Sequence, residues 1–219
     1  MASKSKGNCY LCGVELGKVA MKNHILKVHN DAQGEEKCYL LKIEGAENKA
    51  YWLYVDVPVT DTLLDVDQFM RCIWLECCGH LSAFYIYKYE EIDMSLKLSS
   101  FSVGDRLLHE YDFGTTTETV VTIVGETRRK EYDDSVRLLA RNVPPEFSCS
   151  SCGEPATLIC NECLYESGDP FFCDACGEEH EHEDMLLSVT KSPRMGECAY
   201  EGDYGHFDFD PKKCVKNEN

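Results

Sequence analysis

The sequence predicts an α+β fold in which one main helix packs on a mostly antiparallel sheet, with small metal-stabilised modules on either side. Two observations support this prediction. Between residues 38 and 142, apolar patterns follow the order strand, strand, helix, strand and then several strands, which is typical of a helix layered on a sheet. On both sides of this region, cysteines occur in C-x-x-C pairs with histidines close by, which is typical of small zinc-held domains. The 219 residues have room for one medium domain and small modules.

The first cysteine pair lies near the start of the chain. Cys9 and Cys12 are two residues apart, eleven residues follow, and four residues separate His24 from His29. A hairpin turn carrying the thiolates and a helix over about residues 17–29 carrying the imidazoles would bring four ligands to one zinc ion. The pattern resembles the two-Cys/two-His zinc finger. So small a segment cannot fold without the ion; the alternative is a pair of incidental surface histidines beside reduced thiols.

The first thirty residues are basic, although the whole chain is acidic. The net charge is −17, whereas residues 1–30 hold five lysines and one glutamate, a net +4. These lysines could contact phosphates, so a nucleic-acid-associated regulatory factor is an alternative function. A single finger reads only about three base pairs, and lysine–phosphate contacts are non-specific. The lysines are Lys4, Lys6, Lys18, Lys22 and Lys27. The polar residues 31–37 that follow are predicted to be a linker.

Residues 38–142 are predicted to form the α+β core. A helix is expected from an N-cap at Asp61 or Thr62, and its apolar residues recur at three- and four-residue steps. Those residues are Leu63, Val66, Met70, Ile73 and Cys77. Segments rich in aromatic and branched side chains predict the strands. The predicted strands are 38–44, 50–57, 81–89, 93–98, 107–113, 117–126 and 135–142.

Four motifs of this region resemble the Ri-plasmid ORF-3-like family. They are YWLYVDV, the helix TLLDVDQFMRCIWLE, HLSAF (80–84) and LLHEYDFG, and together they span roughly residues 38–142. After the YDFG motif, the family carries Asp, Trp and His at positions that are Thr115, Thr117 and Thr119 in this chain. The resemblance therefore implies a fold rather than a function.

Few residues of the core are candidates for catalysis. Cys77, Cys78, His80 and His109 could be arranged as a nucleophile and base, but small core or surface roles are favoured for each of them. Asp112 could bind a ligand, but support of a turn is favoured. The sequence has no phosphate-binding loop and no G-x-S-x-G or H-E-x-x-H motif. We therefore expect no enzyme; the alternative is a metal-dependent enzyme with a deep pocket lined by His80, His109 and Asp112.

After a proline-containing hinge at 143–148, residues 149–190 contain the densest group of metal-ligand residues. Three C-x-x-C pairs precede two histidines, which gives enough donors for two closed four-ligand zinc sites. The donors are Cys149, Cys152, Cys160, Cys163, Cys173, Cys176, His180 and His182. Sequential pairing would place the first four cysteines on one ion. Cys198 or an acidic neighbour could replace His182, because side chains two residues apart on a strand point to opposite faces.

This segment resembles the B-box zinc finger, a family in which two zinc ions are held by interleaved ligand pairs. The resemblance implies one site of Cys149, Cys152, Cys173 and Cys176, and a second of Cys160, Cys163, His180 and His182. It also implies that both ions are structural, since four protein ligands leave no open position for an activated water.

Charge and tail composition complete the functional prediction. Between residues 149 and 184 the chain holds ten Asp and Glu residues and no Lys or Arg, so this module should repel nucleic acid. The face is either simply solvated or a docking surface. Residues 191–219 are predicted to be an irregular acidic and aromatic tail, with a linear docking motif as the alternative. Four cysteines without paired spacing are interpreted as free thiols: Cys38, Cys72, Cys198 and Cys214.

The sequence as a whole therefore predicts a zinc-binding protein-interaction or adaptor module that holds three structural zinc ions and binds a protein partner. No apolar signal segment opens the sequence, and no apolar run approaches the roughly 18 residues that a membrane span needs. Thiols that remain reduced for zinc also favour a reducing compartment. We therefore expect a cytoplasmic protein.

Overall fold

A nine-stranded sheet in which every described pairing is antiparallel forms the body of the chain in a computed structural model, which describes residues 5–86, 90–130, 135–166 and 168–214. Its strands are β1 (Lys6–Cys9), β2 (Glu15–Gly17), β3 (Glu36–Gly45), β4 (Trp52–Pro58), β5 (Ser82–Ile86), β6 (Glu90–Ile92), β7 (Arg106–Tyr111), β8 (Thr117–Arg129) and β9 (Arg137–Asn142). Their order across the sheet is β2-β1-β9-β4-β3-β8-β7-β5-β6. The predicted mostly antiparallel sheet is therefore confirmed.

A second, smaller sheet belongs to the cysteine-rich segment. Its strands are β10 (Leu158–Cys160), β11 (Phe171–Phe172) and β12 (Leu186–Ser188), in the order β11-β10-β12. The α-helices are α1 (Lys18–Val28), α2 (Leu63–Met70), α3 (Asn161–Glu166) and α4 (Asp174–Gly177). A π-helical turn (Arg71–Leu75) and 3-10 turns at Leu98–Ser100, Glu183–Met185 and Pro211–Lys213 complete the elements. Within the described ranges, no helix has the length and apolar character needed to cross a membrane.

Both faces of the central strands are covered. Trp52 and Tyr54 of β4 belong to one buried cluster, which includes residues of α1, whereas Leu53 and Val55 belong to another, which includes residues of α2. Successive side chains of a strand point to opposite faces, so a strand buried on both sides needs a nearly continuous apolar run. This accounts for the composition of the YWLYVDV motif, whose one charged residue, Asp56, is buried in ion pairs with Arg129 and Arg137.

The helices are short, and a single main helix over the sheet stays a prediction. The helix expected to run to Cys77 ends as α2 at Met70, after which the backbone N–H of Glu76 donates to the carbonyl of Arg71 in a π-helical turn. The capping residue is Thr62, whose side chain accepts from the backbone N–H of Asp65. The helix α1, of 11 residues, is longer than α2, of 8.

Several predicted boundaries differ from the structure. Residues 93–98 form turns and the start of a 3-10 helix rather than a strand, because the backbone N–H groups of Leu63 and Leu64 donate to this segment instead of to a ladder. The predicted linker 31–37 includes the first residues of β3, and the N–H of Asp31 donates to the carbonyl of Arg128. Residues 87–89 of one predicted strand, Lys4 and residues 215–219 of the predicted tail lie outside the described residues.

The segment with the first cysteine pair shares the main sheet with the core. β1 pairs with β9, Gly7 lying opposite Asn142. A Cβ at Gly7 would lie 2.3 Å from the carbonyl oxygen of Arg141 and 2.6 Å from the Trp52 ring, so only glycine fits this approach. The backbone of β1 is thus in close contact with the buried Trp52 of the core.

Candidate metal centres

The first predicted ligand set is brought together at one edge of the main sheet. The Sγ of Cys12 lies 3.2 Å from Nε2 of His24 and 3.3 Å from Nε2 of His29, and the Sγ of Cys9 lies 3.4 Å from His29 Nε2. Tetrahedral zinc with Zn–S of 2.3 Å and Zn–N of about 2.05 Å separates sulfur and nitrogen by about 3.6 Å. The four donor atoms lie within 4.8 Å of one another, which fits one small four-coordinate ion.

Local structure explains how these donors converge. A turn after β1, in which the N–H of Gly13 donates to the Cys9 carbonyl, places the two thiols side by side, and Gly13 has the positive φ of 79° that such a turn requires. His24 lies in α1, as predicted, and His29 is the residue that caps its end. The two imidazoles are five residues apart, and their Nε2 atoms are separated by 3.0 Å.

Burial favours the uncharged forms of three members of this first group, Cys9, His24 and His29. It raises the pKa of the Cys9 thiol to about 11, and it lowers the pKa of both His24 and His29. Neutral imidazoles are the form that binds a metal. A metal ion would have to displace the Cys9 proton, so binding and proton release are linked.

The eight donors of residues 149–190 divide into two interleaved groups. Cys149, Cys152, Cys173 and Cys176 form one group, and Cys160, Cys163, His180 and His182 form the other; in each, the donor atoms lie within 4.8 Å of one another. The Sγ atoms of Cys152 and Cys173 are 3.7 Å apart, against about 3.8 Å for two thiolates on tetrahedral zinc. This is the grouping that the B-box resemblance implies, and not the sequential one.

His182 takes part because it does not lie in a strand. It precedes the 3-10 turn Glu183–Met185 with φ −109° and ψ 50°, so the alternation of a strand does not apply to it. Its Nδ1 lies 3.8 Å from the Sγ of Cys163, and Nε2 of His180 lies 3.4 Å from the same sulfur. The two histidines thus offer different ring nitrogens to one position.

The pKa shifts in the all-cysteine group differ from one thiol to the next. Burial acts to raise the pKa of Cys149, but backbone N–H groups of Cys173, Cys152 and Ser151 outweigh it and lower this pKa to about 6. Hydrogen bonding from the neighbouring thiols raises the pKa of Cys176 to about 12. The thiolate, which is the form that binds zinc, is thus favoured most at Cys149.

A fourth group of donors was missed by the sequence reasoning. Cys77, Cys78, His80 and Cys198 bring their donor atoms within 4.8 Å of one another. The sequence predicts core or surface roles for the first three and a free thiol for Cys198, whereas the structure brings all four together. Cys198 lies 118 residues beyond His80 in the sequence, so no local spacing could reveal it; the only local signal was the C-C-x-H motif after the helix.

His109 and Asp112, the other two candidates for a catalytic pocket, are committed to structural contacts. His109 is completely buried, with Nε2 2.9 Å from Oδ1 of Asp67 and Nδ1 3.3 Å from the hydroxyl of Thr119. Its burial lowers the pKa, although Asp67 opposes the shift, so the imidazole is neutral. Asp112 accepts from the backbone N–H of Gly114, as expected of a residue that supports a turn.

The donor chemistry of all four groups fits zinc. Thiolate and imidazole are ligands that zinc prefers, whereas calcium and magnesium prefer oxygen. The four Cys and His groups found among the described residues are therefore able to hold metal ions.

Comparison with known proteins adds little to this site. No family model matches the chain, and no curated protein matches it either. Among solved structures, the chain is similar to a crystal structure of a protein of unknown function, MM3350, from Methanosarcina mazei Go1, with 22% identity and a TM-score of 0.43. The similarity covers 54% of this chain and 75% of that protein.

Proposed function

We propose that this chain is a cytoplasmic, zinc-binding adaptor whose ions are structural and whose 149–190 module docks a basic segment of a protein partner. The observation that carries the proposal is an acidic surface without internal counter-charges. Nine of the module's ten acidic residues are exposed, and none of the ten forms an ion pair within the described ranges. These residues are Glu154, Glu162, Glu166, Asp169, Asp174, Glu178, Glu179, Glu181, Glu183 and Asp184, of which only Glu162 is half-buried.

Structural ions follow from the completeness of each ligand set. Four protein donors fill the tetrahedron of zinc and leave no position for a reacting water. In the all-cysteine group, four thiolates around Zn²⁺ carry a formal charge of −2, which adds to the acidity of the module. A surface of one sign attracts a partner of the opposite sign and sets the rate and salt dependence of association.

The rest of the chain is proposed to be a scaffold. Its resemblance to the Ri-plasmid ORF-3-like family supports a main helix packed on the sheet of residues 38–142, and the B-box resemblance supports an interaction role for residues 149–190. An enzyme in the core has less support, because the fully buried His109 cannot meet a substrate.

A nucleic-acid-binding role also has less support. Nζ of Lys18 is 2.5 Å from Oε1 of Glu44, and Nζ of Lys6 is 3.0 Å from Oε1 of Glu15, so two of the five lysines are neutralised locally. Met21 and Ile25 of α1 are buried against the core, which leaves fewer of its faces for a groove of DNA. If the role exists, binding to DNA or RNA will fall steeply with salt and will be lost when Lys18, Lys22 and Lys27 are replaced.

The docking proposal is tested on the zinc-loaded full chain. Partners are first located by crosslinking to the full chain, and the dissociation constant of a recovered partner is then measured at low and at physiological salt. The triple variant Glu178→Gln, Glu179→Gln, Glu183→Gln is expected to bind about tenfold more weakly at low salt, since each exposed charge contributes about 0.5 kcal/mol.

The matched control is the triple variant Glu35→Gln, Glu47→Gln, Glu91→Gln, which removes three exposed charges elsewhere on the chain. It is expected to bind as the wild type does. Equal affinities of both triple variants, or crosslinks that map only outside residues 149–190, would contradict the proposal. Zinc counts of the variants, which should equal that of the wild type, separate a lost contact from a lost fold.

A further inference from the structure

The donor group that the sequence reasoning missed lies where the C-terminal segment meets the core. Cys77, Cys78 and His80 follow the π-helical turn after α2, and Cys198 approaches them from the segment after β12. The Sγ of Cys78 lies 3.8 Å from that of Cys77, 3.7 Å from that of Cys198, and 3.0 Å from Nε2 of His80. Two thiolates on tetrahedral zinc are about 3.8 Å apart.

We propose that Cys77, Cys78, His80 and Cys198 bind a fourth zinc ion, which fastens the C-terminal segment to the end of the α2 helix. The sulfur–sulfur distances equal those of a zinc site and are well beyond the 2.03–2.05 Å of a disulfide bond. Binding would release the thiol protons of the three cysteines to solvent and leave a neutral imidazole as the fourth ligand. The centre would then carry a formal charge of −1.

A buried cation lies beside this centre. Arg194 is completely buried, and its Nη2 lies 3.5 Å from the Sγ of Cys77 and 2.7 Å from Oδ2 of Asp112. Its other terminal nitrogen donates to the carbonyl of Thr115 and the hydroxyl of Thr117. A guanidinium in contact with a ligand sulfur stabilises the thiolate form, as outer contacts of metal ligands commonly do.

Ser192 and Arg194 attach the C-terminal segment to the core before the chain reaches Cys198. The hydroxyl of Ser192 donates to the carbonyl of Trp74, and the guanidinium of Arg194 stacks on the ring of Tyr111 at 4.8 Å. From these anchors the chain turns so that Cys198, with φ 53°, directs its sulfur at Cys78. The core thus supplies three donors, and a separately anchored segment supplies the fourth.

Native mass spectrometry of the reduced, zinc-loaded full chain tests the proposal. Four zinc ions are expected for the wild type and three for Cys198→Ser. The control variant Cys72→Ser removes an exposed cysteine outside every donor group and should retain four. The variant Cys12→Ser should lose a different ion, so the double variant Cys12→Ser, Cys198→Ser should retain two.

Equal zinc counts in the wild type and in Cys198→Ser would overturn the proposal. A wild type that holds three ions and a disulfide bond between Cys78 and Cys198 would overturn it as well. If Cys198→Ser disrupts the fold and loses several ions, Cys198→His decides, because an imidazole in this position supplies a zinc ligand; four ions support the site and fewer contradict it. None of these counts depends on whether the 149–190 module binds a partner.

Discussion

The N-terminal donor group and the 149–190 module gather similar donors but lie in very different amounts of apolar core. Around the first group, Cys9, Met21 and Ile25 share a buried cluster with five residues of the main sheet. Among the residues that the structure describes, the buried cluster of the module has four members: three cysteines and Phe172.

This difference shows that the same ligand chemistry can have two roles in one chain. In the N-terminal segment, zinc would add to the stability that the pairing of β1 with β9 and the burial of α1 already provide. In the module, the ligands themselves make up most of the buried cluster. Zinc binding would therefore supply the stability that an apolar core supplies elsewhere. We therefore expect metal loss to unfold the module and only to loosen the N-terminal segment.

The largest effect is expected from Cys163→Ala. Structural zinc contributes about 10–16 kcal/mol of binding free energy in zinc-finger peptides, and the module has little apolar burial to offset its loss. Residues 149–190 should become open to protease and lose hydrogen-exchange protection, while β3, β4 and β8 stay protected. Cys72→Ala is the control. If hydrogen-exchange protection of the module is the same in Cys163→Ala as in this control, zinc does not stabilise the module.

A smaller effect is expected from Cys12→Ser. This variant should lose one zinc ion, and hydrogen exchange should accelerate mainly in residues 6–30. The main sheet should retain its cooperative thermal transition, since Met21 and Ile25 are buried together with five residues of the main sheet as well as with Cys9. If Cys12→Ser instead leaves the whole main sheet unfolded, the N-terminal segment and the module do not differ in their dependence on zinc.

Gly7→Ala removes the sheet contact instead of the metal and is expected to cost about 1–3 kcal/mol, because its Cβ overlaps the Arg141 carbonyl and the Trp52 ring. The zinc count should be unchanged, which separates docking of β1 from metal binding. Gly17→Ala is the control: its Cβ meets no atom within 4 Å, and its cost should stay under about 1 kcal/mol. Equal chemical denaturation midpoints for the two variants would argue against the close approach.

The smallest effect concerns the pH dependence of stability. His109 lies in the core of the main sheet and belongs to none of the four donor groups. The pKa of His109 is lowered by burial, so the unfolded chain takes up a proton near pH 6.5 while the folded chain does not. Stability should therefore fall as the pH drops below about 6.5. The depressed pKa of Asp67, lowered by His109, Ser82 and Arg71 despite burial, adds a further loss only at more acidic pH.

His109→Gln keeps an N–H donor for Asp67 but cannot take up the proton. Between pH 6.5 and 5.5 its unfolding free energy should decrease less than that of the wild type, by up to about 1 kcal/mol. Denaturant titrations of both proteins in excess zinc measure the difference. Parallel pH profiles would assign the acid sensitivity to the metal ligands instead.

The sequence was most informative where the chemistry is local. The pairs of cysteines and the histidines near them predict three donor groups, because a C-x-x-C turn sets the position of two sulfurs by itself. The fourth group depends on Cys198 meeting Cys78 across 120 residues, and the pairing of β1 with β9 depends on the fit of Gly7 against Trp52. Contacts of this kind are set by tertiary packing and leave no periodic pattern in the sequence.

The β1–β9 pairing also has a consequence for synthesis on the ribosome. Cys9 lies opposite Ala140, so 131 further residues must be translated after Cys9 before these two residues can pair. At about 5–20 residues per second, the interval is on the order of ten seconds. During that interval the first donor group would exist without its sheet. A zinc ion bound at this stage would hold the four ligands of the N-terminal segment together until β9 has been synthesised and can pair with β1.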